Sequence, residues 1–225
     1  MKLLSNIFSK GTNDKINSRL EFIKTEFKNG NNDIVILHGE KLIESVKRHD
    51  NIELLKMIGL AHFNKQQFKE ALPYFEEIAS KSANSDDWFN VVTSAILSNE
   101  VDKGMNAFSK AIDLYEKNGN ENNLPIGQMS YYVMQAFRDT QEYDLAFVQM
   151  MKLKDVYCHL KITDTTFLHI RGLPFISHVL SAGKMILEKQ SLKDSFEWLD
   201  DFASHLDDEG KQLVLDFKKT VKYSS

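Results

Sequence analysis

Two stretches of this chain repeat each other at one fixed distance, which constrains its fold more than any other feature. They are Leu55-x-x-Ile58-Gly59-x-x-His62…Phe68-x-x-Ala71-x-x-x-Phe75-x-x-Ile78 and Trp88-x-x-Val91-Val92-x-x-Ala95…Val101-x-x-Gly104-x-x-x-Phe108-x-x-Ala111. Gly59 precedes Val92, Ala71 precedes Gly104 and Phe75 precedes Phe108 by 33 residues each time. Within each stretch apolar residues recur three and four apart, the period of a helix face, so each stretch reads as two helices. Small residues decide how they pair. Gly59 lets a second helix approach closely, and Ala71 or Gly104 receives the bulk of the opposing helix. Leu55, Ile58, Phe68 and Phe75, and Trp88, Val91, Phe108 and Ile112, then fill the space between one pair and the next. A single pair cannot bury both its faces, so neighbours must stack.

A step of 33 residues is close to the roughly 34 of a tetratricopeptide unit, and the pattern resembles the tetratricopeptide repeat family. The resemblance covers residues 52–117 well and the neighbouring segments loosely. It implies an all-α, right-handed superhelical stack of antiparallel helix pairs, an α-solenoid, and a scaffold that holds another polypeptide. In that family the inner helix of each pair lines a concave groove. Carried over, the groove presents Glu53, Lys56, Leu60, Phe63 and Asn64 from the first pair, Asp86, Phe89, Thr93, Ile96 and Leu97 from the second, and Gln128, Tyr131, Gln135, Arg138 and Asp139 from the third. Leu60 and Thr93 stand where members that clamp a terminal carboxylate need Asn, so that mode of binding is not expected.

The rest of the chain is read as one helical-repeat domain over residues 1–225. Leu3, Leu4, Ile7 and Phe8 give a short apolar stripe, expected to dock on the chain's own helices. Gly11 to Asp14 supplies capping residue types and predicts a helix start. Ile16, Leu20, Ile23 and Phe27, then Ile34, Leu37, Leu42, Ile43 and Val46, make a degenerate leading pair over 12–50, closed at Asn29-Gly30-Asn31-Asn32 and ending near His49-Asp50. Repeats are expected over 52–84, 85–118 and 126–160, the last carrying Tyr132, Val133, Ala136, Phe137, Tyr143, Ala146, Met150 and Leu153. Ala146 lies 42 residues after Gly104, so the loop-forming run from Lys117 to Pro125 is an insertion between similar units. Helices beginning near Thr163, Phe175, Ser191 and Asp207 form a helical C-terminal cap over 163–225. Pro73 falls beyond the first turn of its helix and costs a backbone hydrogen bond there.

Composition narrows the function. With 42% hydrophobic and 27% charged residues the chain has the makings of a well-cored domain. A net charge of -4 argues against a nucleic-acid binder held by a global positive field. The single cysteine, Cys158, rules out an internal disulfide and fits a reducing compartment. The first ten residues lack the unbroken apolar region of a secretory peptide, and no run approaches a membrane span. A cytoplasmic protein that does not act on membranes is expected, and the abundance of Asn, Lys and Ile points to an AT-rich, bacterial coding sequence.

No phosphate-cradling glycine loop, HExxH, GxSxG or paired-cysteine zinc signature is present. Cys158, His159, His169 and His178 do not have the spacing of a compact metal motif, so neither metal nor cofactor is expected, and no catalytic residue stands out. A second candidate surface is acidic: Asp194, Glu197, Asp200, Asp201, Asp207, Asp208 and Glu209 concentrate negative charge with little compensation nearby in sequence. It would steer a basic partner in a salt-dependent way. The leading expectation is a non-enzymatic scaffold with a protein or peptide partner. The alternatives are a bacterial immunity protein that neutralises a cognate toxin by direct binding, and a peptide-sensing regulator.

Overall fold

The computed structural model describes residues 2–45, 51–118 and 122–221, with side chains from Asp14 onward apart from Leu192. The expected apolar stripe at 3–8, Val46, the helix end near His49-Asp50 and the loop tip at 119–121 therefore lie outside the described side chains or residues. Everything regular among the described residues is helical. The elements are α1 (Lys2–Lys28), α2 (Asn32–Ser45), α3 (Ile52–Asn64), α4 (Phe68–Ala79), α5 (Ser85–Leu97), α6 (Val101–Asn118), α7 (Ile126–Asp139), α8 (Tyr143–Leu160), α9 (Thr165–Ile170), α10 (Ile176–Lys189), α11 (Leu192–Ser204) and α12 (Asp208–Lys218).

One expectation fails at the start. The helix break at Gly11–Asp14 does not occur, and α1 runs through it unbroken for 27 residues. A glycine costs a helix interior only about 1 kcal/mol, and Thr, Asn and Asp are weak helix formers rather than breakers. Pro73 is the sixth residue of α4, past the first turn, and the helix accommodates it.

Consecutive helices pair as expected: α1 with α2, α3 with α4, α5 with α6, and α7 with α8. All four pairs turn on the same main-chain lock. Gly30, Gln66, Asn99 and Gln141 have φ of 75°, 60°, 64° and 64°, and each sits where the helix has just ended. In the second pair Gln67 N donates to His62 O at 2.9 Å and Gln66 N to Phe63 O at 2.8 Å. The same two bonds recur as Glu100 N to Ala95 O with Asn99 N to Ile96 O, as Glu142 N to Phe137 O with Gln141 N to Arg138 O, and as Asn31 N to Glu26 O with Gly30 N to Phe27 O. This is the Schellman closure, which satisfies carbonyls that the helix end leaves unpaired.

The turn supplies a register that apolar spacing could not. Seven residues before it stand Ile23, Gly59, Val92 and Met134, and five after it Val35, Ala71, Gly104 and Ala146; all eight are buried. The leading pair thus belongs to the series, with Ile23 and Val35 in the places that Gly59 and Ala71 hold in the next.

Packing between pairs is uneven. The second helix of one pair lies on the first helix of the next where α2 meets α3 and where α4 meets α5, whereas α6 makes no comparable contact with α7. The inserted loop explains the difference. Asn118 Nδ2 donates to Ala83 O at 2.7 Å, Asn123 Nδ2 to Ser85 Oγ at 2.8 Å, and Leu124 N to Asp86 Oδ1 at 2.9 Å. The returning chain is therefore fastened to the start of α5, and α7 docks on α5 instead of α6. Beyond α8, α10 packs on α7 and α8, and α11 and α12 pair with each other. Tyr157, fully buried, ties this end together through its hydroxyl, which donates to Pro174 O at 2.6 Å.

Candidate functional site

The first helices of successive pairs present one face, and each seam along it has its own fastening. Lys24 Nζ on α1 reaches Glu53 on α3 at 3.0 Å, and hydrogen bonds to Glu53 and then Glu21 raise the Lys24 ammonium above its ordinary value. Lys56 on α3 reaches Asp87 on α5 at 3.3 Å. The residue 33 places after Lys56 is Phe89, so at the α5–α7 seam the ion pair gives way to a ring contact, Phe89 to Tyr132 at 6.4 Å between centroids. At the last seam Arg138 Nη1 donates to Ala182 O at 3.3 Å and Tyr131 Oη to His178 O at 3.4 Å. Exposed ion pairs of this kind add little stability; what they fix is which turn of one helix sits beside which turn of the next.

Between α3, α5 and α7 this face sinks into a hollow of about 310 Å³, lined by Phe63, Phe89, Asn90, Thr93, Leu97, Tyr132, Gln135, Ala136 and Asp139. The floor is aromatic. Phe63 is held edge-on by Phe68 at 5.1 Å and Phe75 at 6.3 Å, and the Thr93 hydroxyl is turned back onto the carbonyls of Phe89 and Asn90, both at 3.3 Å. Half-buried beside these rings, the side-chain amides of Asn90 and Gln135 make no hydrogen bond to described residues. A second hollow of about 500 Å³ continues the face toward α1, with Lys24, Phe27, Lys56, Met57 and Leu60 in its wall.

The structure thus brings Phe63, Phe89, Thr93, Leu97, Gln135 and Asp139 together, and places Glu53, Lys56 and Leu60 beside them. It separates the others. Ile96, expected on the inner face, is fully buried, because adjacent helix positions point about 100° apart and Ile96 turns toward Gly104 on α6. Asn64 sits at the rim, where its amide donates to Asn32 Oδ1 at 3.4 Å. Tyr131 and Arg138 are drawn to the α10 backbone, and Arg138 also grips Asp139 at 2.7 Å. Asn90 and Tyr132 were missing from the expected set; Tyr132 read as core but is 43% exposed. Their position in the pair, one after Phe89 and one after Tyr131, was the available signal.

The acidic surface is less bare than its sequence suggests. Asp201 bonds to Lys154, whose ammonium holds the Asp201 carboxyl below its ordinary value, and Asp200 pairs with Lys218 at 2.5 Å. Glu197 lies 3.7 Å from Lys193, and Asp194 accepts from Ser191 Oγ at 2.6 Å. Asp207 is structural. It accepts from Thr163 Oγ1, from Thr163 N at 2.9 Å and from Gly210 N at 2.9 Å, capping α12 and tethering the segment that leads into α9. Of the seven predicted residues, Asp208 and Glu209, both in the first turn of α12, have no side-chain partner among the described residues.

Burial pushes the Asp207 carboxyl upward, but the Thr163 and Gly210 hydrogen bonds outweigh it and hold the group below its ordinary value. A depressed folded value means stability that is present above the unfolded value near 4 and lost as the pH falls below it. Asp207→Ala should therefore cost about 2 kcal/mol at pH 7, for one helix cap and one tether. The deficit should shrink at pH 3.5, as urea melts at the two pH values would show.

Other chemistry is sparse. Among the described residues no group of three His, Cys, Asp or Glu could hold a metal ion, and no helix is long and apolar enough to cross a membrane. Burial pushes the Cys158 thiol above its ordinary value, with Lys154 opposing, which disfavours the nucleophilic thiolate. Compared with known proteins, the chain matches no protein-family model and no curated sequence.

Proposed function

We propose that this chain is a non-enzymatic interaction scaffold, a right-handed stack of tetratricopeptide-like hairpins that holds an extended polypeptide against the face of α1, α3, α5 and α7. The observation that carries the reading is the aromatic hollow flanked by the amides of Asn90 and Gln135, which have no hydrogen-bond partner among the described residues. An extended main chain offers a donor and an acceptor at every residue, and a side-chain amide can answer both. A hollow of about 310 Å³ is at the small end of ligand pockets and suits one large apolar side chain, with the flanking chain running along the neighbouring hollow over Leu60.

A photo-crosslinking residue placed at Thr93 should capture one stoichiometric protein from the native cell, while one at the exposed Ser109 of α6 should not. Asn90→Arg with Gln135→Arg should cut capture about tenfold, the equivalent of about 1.4 kcal/mol, without lowering the melting temperature. Equal labelling at both positions, or turnover of a small molecule by the isolated protein, would overturn the reading.

A further inference from the structure

The 33-residue repeat invites a comparison on the other side of α5. Trp88 and Val91 occupy the places of Leu55 and Ile58, while Lys103, Ala107 and Lys110 on α6 occupy those of Glu70, Tyr74 and Glu77 on α4. In the earlier pair Leu55 and Ile58 are fully buried, and Tyr74 packs over that seam, its Cβ within 3.2 Å of where a Cβ on Gly59 would stand. In the later pair the large ring is replaced by a methyl group and both flanking charges change sign. A crevice of about 670 Å³ results, floored by Trp88, Val91 and Ala107 and rimmed by Lys103, Lys110, Asn106 and Glu76. Residue 149, which follows Ala107 by the same 42 residues as the third pair's other positions, is a buried glutamine. The opening therefore belongs to the second pair.

Two groups beside this crevice stand out, one a buried donor and one an exposed cation. The indole Nε1 of Trp88 is buried and has no hydrogen-bond partner among the described residues, which is rare for a donor removed from water. Lys103 is already held by Glu100 at 2.7 Å and Glu76 at 2.9 Å, whereas Lys110 has no anionic partner among the described residues. The volume lies within the range of small-molecule sites, which are mostly apolar with a few placed polar groups.

We propose that this crevice binds a small amphipathic monocarboxylate, its aromatic or aliphatic body on Trp88, Val91 and Ala107 and its carboxylate against Lys110. The site is separate from the peptide-binding face: on α5, positions 88 and 91 point away from positions 89, 93 and 97 at 100° per residue. It stands or falls independently of the scaffold reading.

The test uses 1-naphthylacetate and its neutral isostere 1-naphthylacetamide on the full chain, followed through the two indole N–H signals in nitrogen-correlated NMR, with Trp198→Phe to assign them. The acid should shift the Trp88 signal saturably, with a dissociation constant below about 1 mM, and the amide should bind about tenfold more weakly. Lys110→Glu, an exposed substitution, should weaken the acid by at least about tenfold. Ala107→Tyr, which restores the side chain found one repeat earlier, should remove the response while the helical signal and the melting temperature are kept. No saturable shift, equal binding of acid and amide, or binding unaffected by Lys110→Glu would each overturn the proposal.

Discussion

Gly104→Leu should destabilise the protein by about 3 kcal/mol, the upper end of what overpacking a well-filled core costs. A Cβ on Gly104 would stand 2.6 Å from Ile96 Cγ1 and 3.3 Å from both Ile96 N and Val92 O. The last two are main-chain atoms of α5 and cannot move aside without shifting that helix. Replacing glycine gains up to about 1 kcal/mol of helix propensity, which offsets only part of the loss. Gly59→Leu is the control. A Cβ there meets Phe75 Cε1 at 2.9 Å and Tyr74 Cβ at 3.2 Å, both side chains, so its cost should sit nearer 1 kcal/mol. Urea melts of the two variants should rank them in that order. An unchanged midpoint for Gly104→Leu would discredit the close helix contact on which the repeat register depends.

The second large effect is expected at Tyr157. This residue is fully buried, its ring lies 6.0 Å from that of Phe202 on α11, and its hydroxyl donates to the Pro174 carbonyl just before α10. Tyr157→Ala should cost about 4 kcal/mol, as for other buried aromatic residues. Tyr157→Phe should cost about 1 kcal/mol for the lost hydrogen bond and the stranded carbonyl. The pH dependence separates the two roles. Burial, and secondarily Tyr131, pushes the Tyr157 phenol far above its ordinary value. The folded protein keeps this proton where the unfolded chain releases it. The associated stability is complete below about pH 10 and falls by about 1.4 kcal/mol for each pH unit above it. Tyr157→Phe should flatten that alkaline limb relative to the parent. A limb of the same slope in both proteins would show that Tyr157 does not set it.

The sequence made the central hairpins legible because glycine and alanine mark close helix contacts by their size alone. Gly59, Ala71 and Gly104 are found where the spacing puts them. The leading pair escaped the same reading because Ile23 and Val35 fill its contact positions, so nothing small betrays them. Its register emerges from the hairpin turns, and three of those four turns carry Gln or Asn in the left-handed conformation where a search for glycine finds nothing. Helix ends in the C-terminal part were readable from their caps: Asp164, Ser191 and Asp207 each accept from the backbone of the helix they start.

The candidate site was only half readable. Phe63, Phe89, Thr93, Leu97 and Gln135 meet because α3, α5 and α7, the first helices of successive pairs, border one hollow. Ile96 was misplaced because a neighbour in sequence is a third of a turn away on a helix. The charge balance of the acidic helices was readable only where it is local, as for Glu197 and Lys193 four residues apart. Lys154 lies 47 residues from Asp201 and Lys218 lies 18 from Asp200, so only the folded chain brings each cation to its carboxylate.

The slight packing of α6 on α7, compared with α4 on α5, has a mechanical consequence. Loads passing from the first six helices to the last six travel mainly through α5 and α7 and the loop stitched to Ser85 and Asp86. The α5–α7 seam is therefore the joint on which the α7–α8 pair is set relative to the helices before it. Phe89 and Tyr132 face each other across it, so whatever wedges between these rings also sets the angle at which the joint rests.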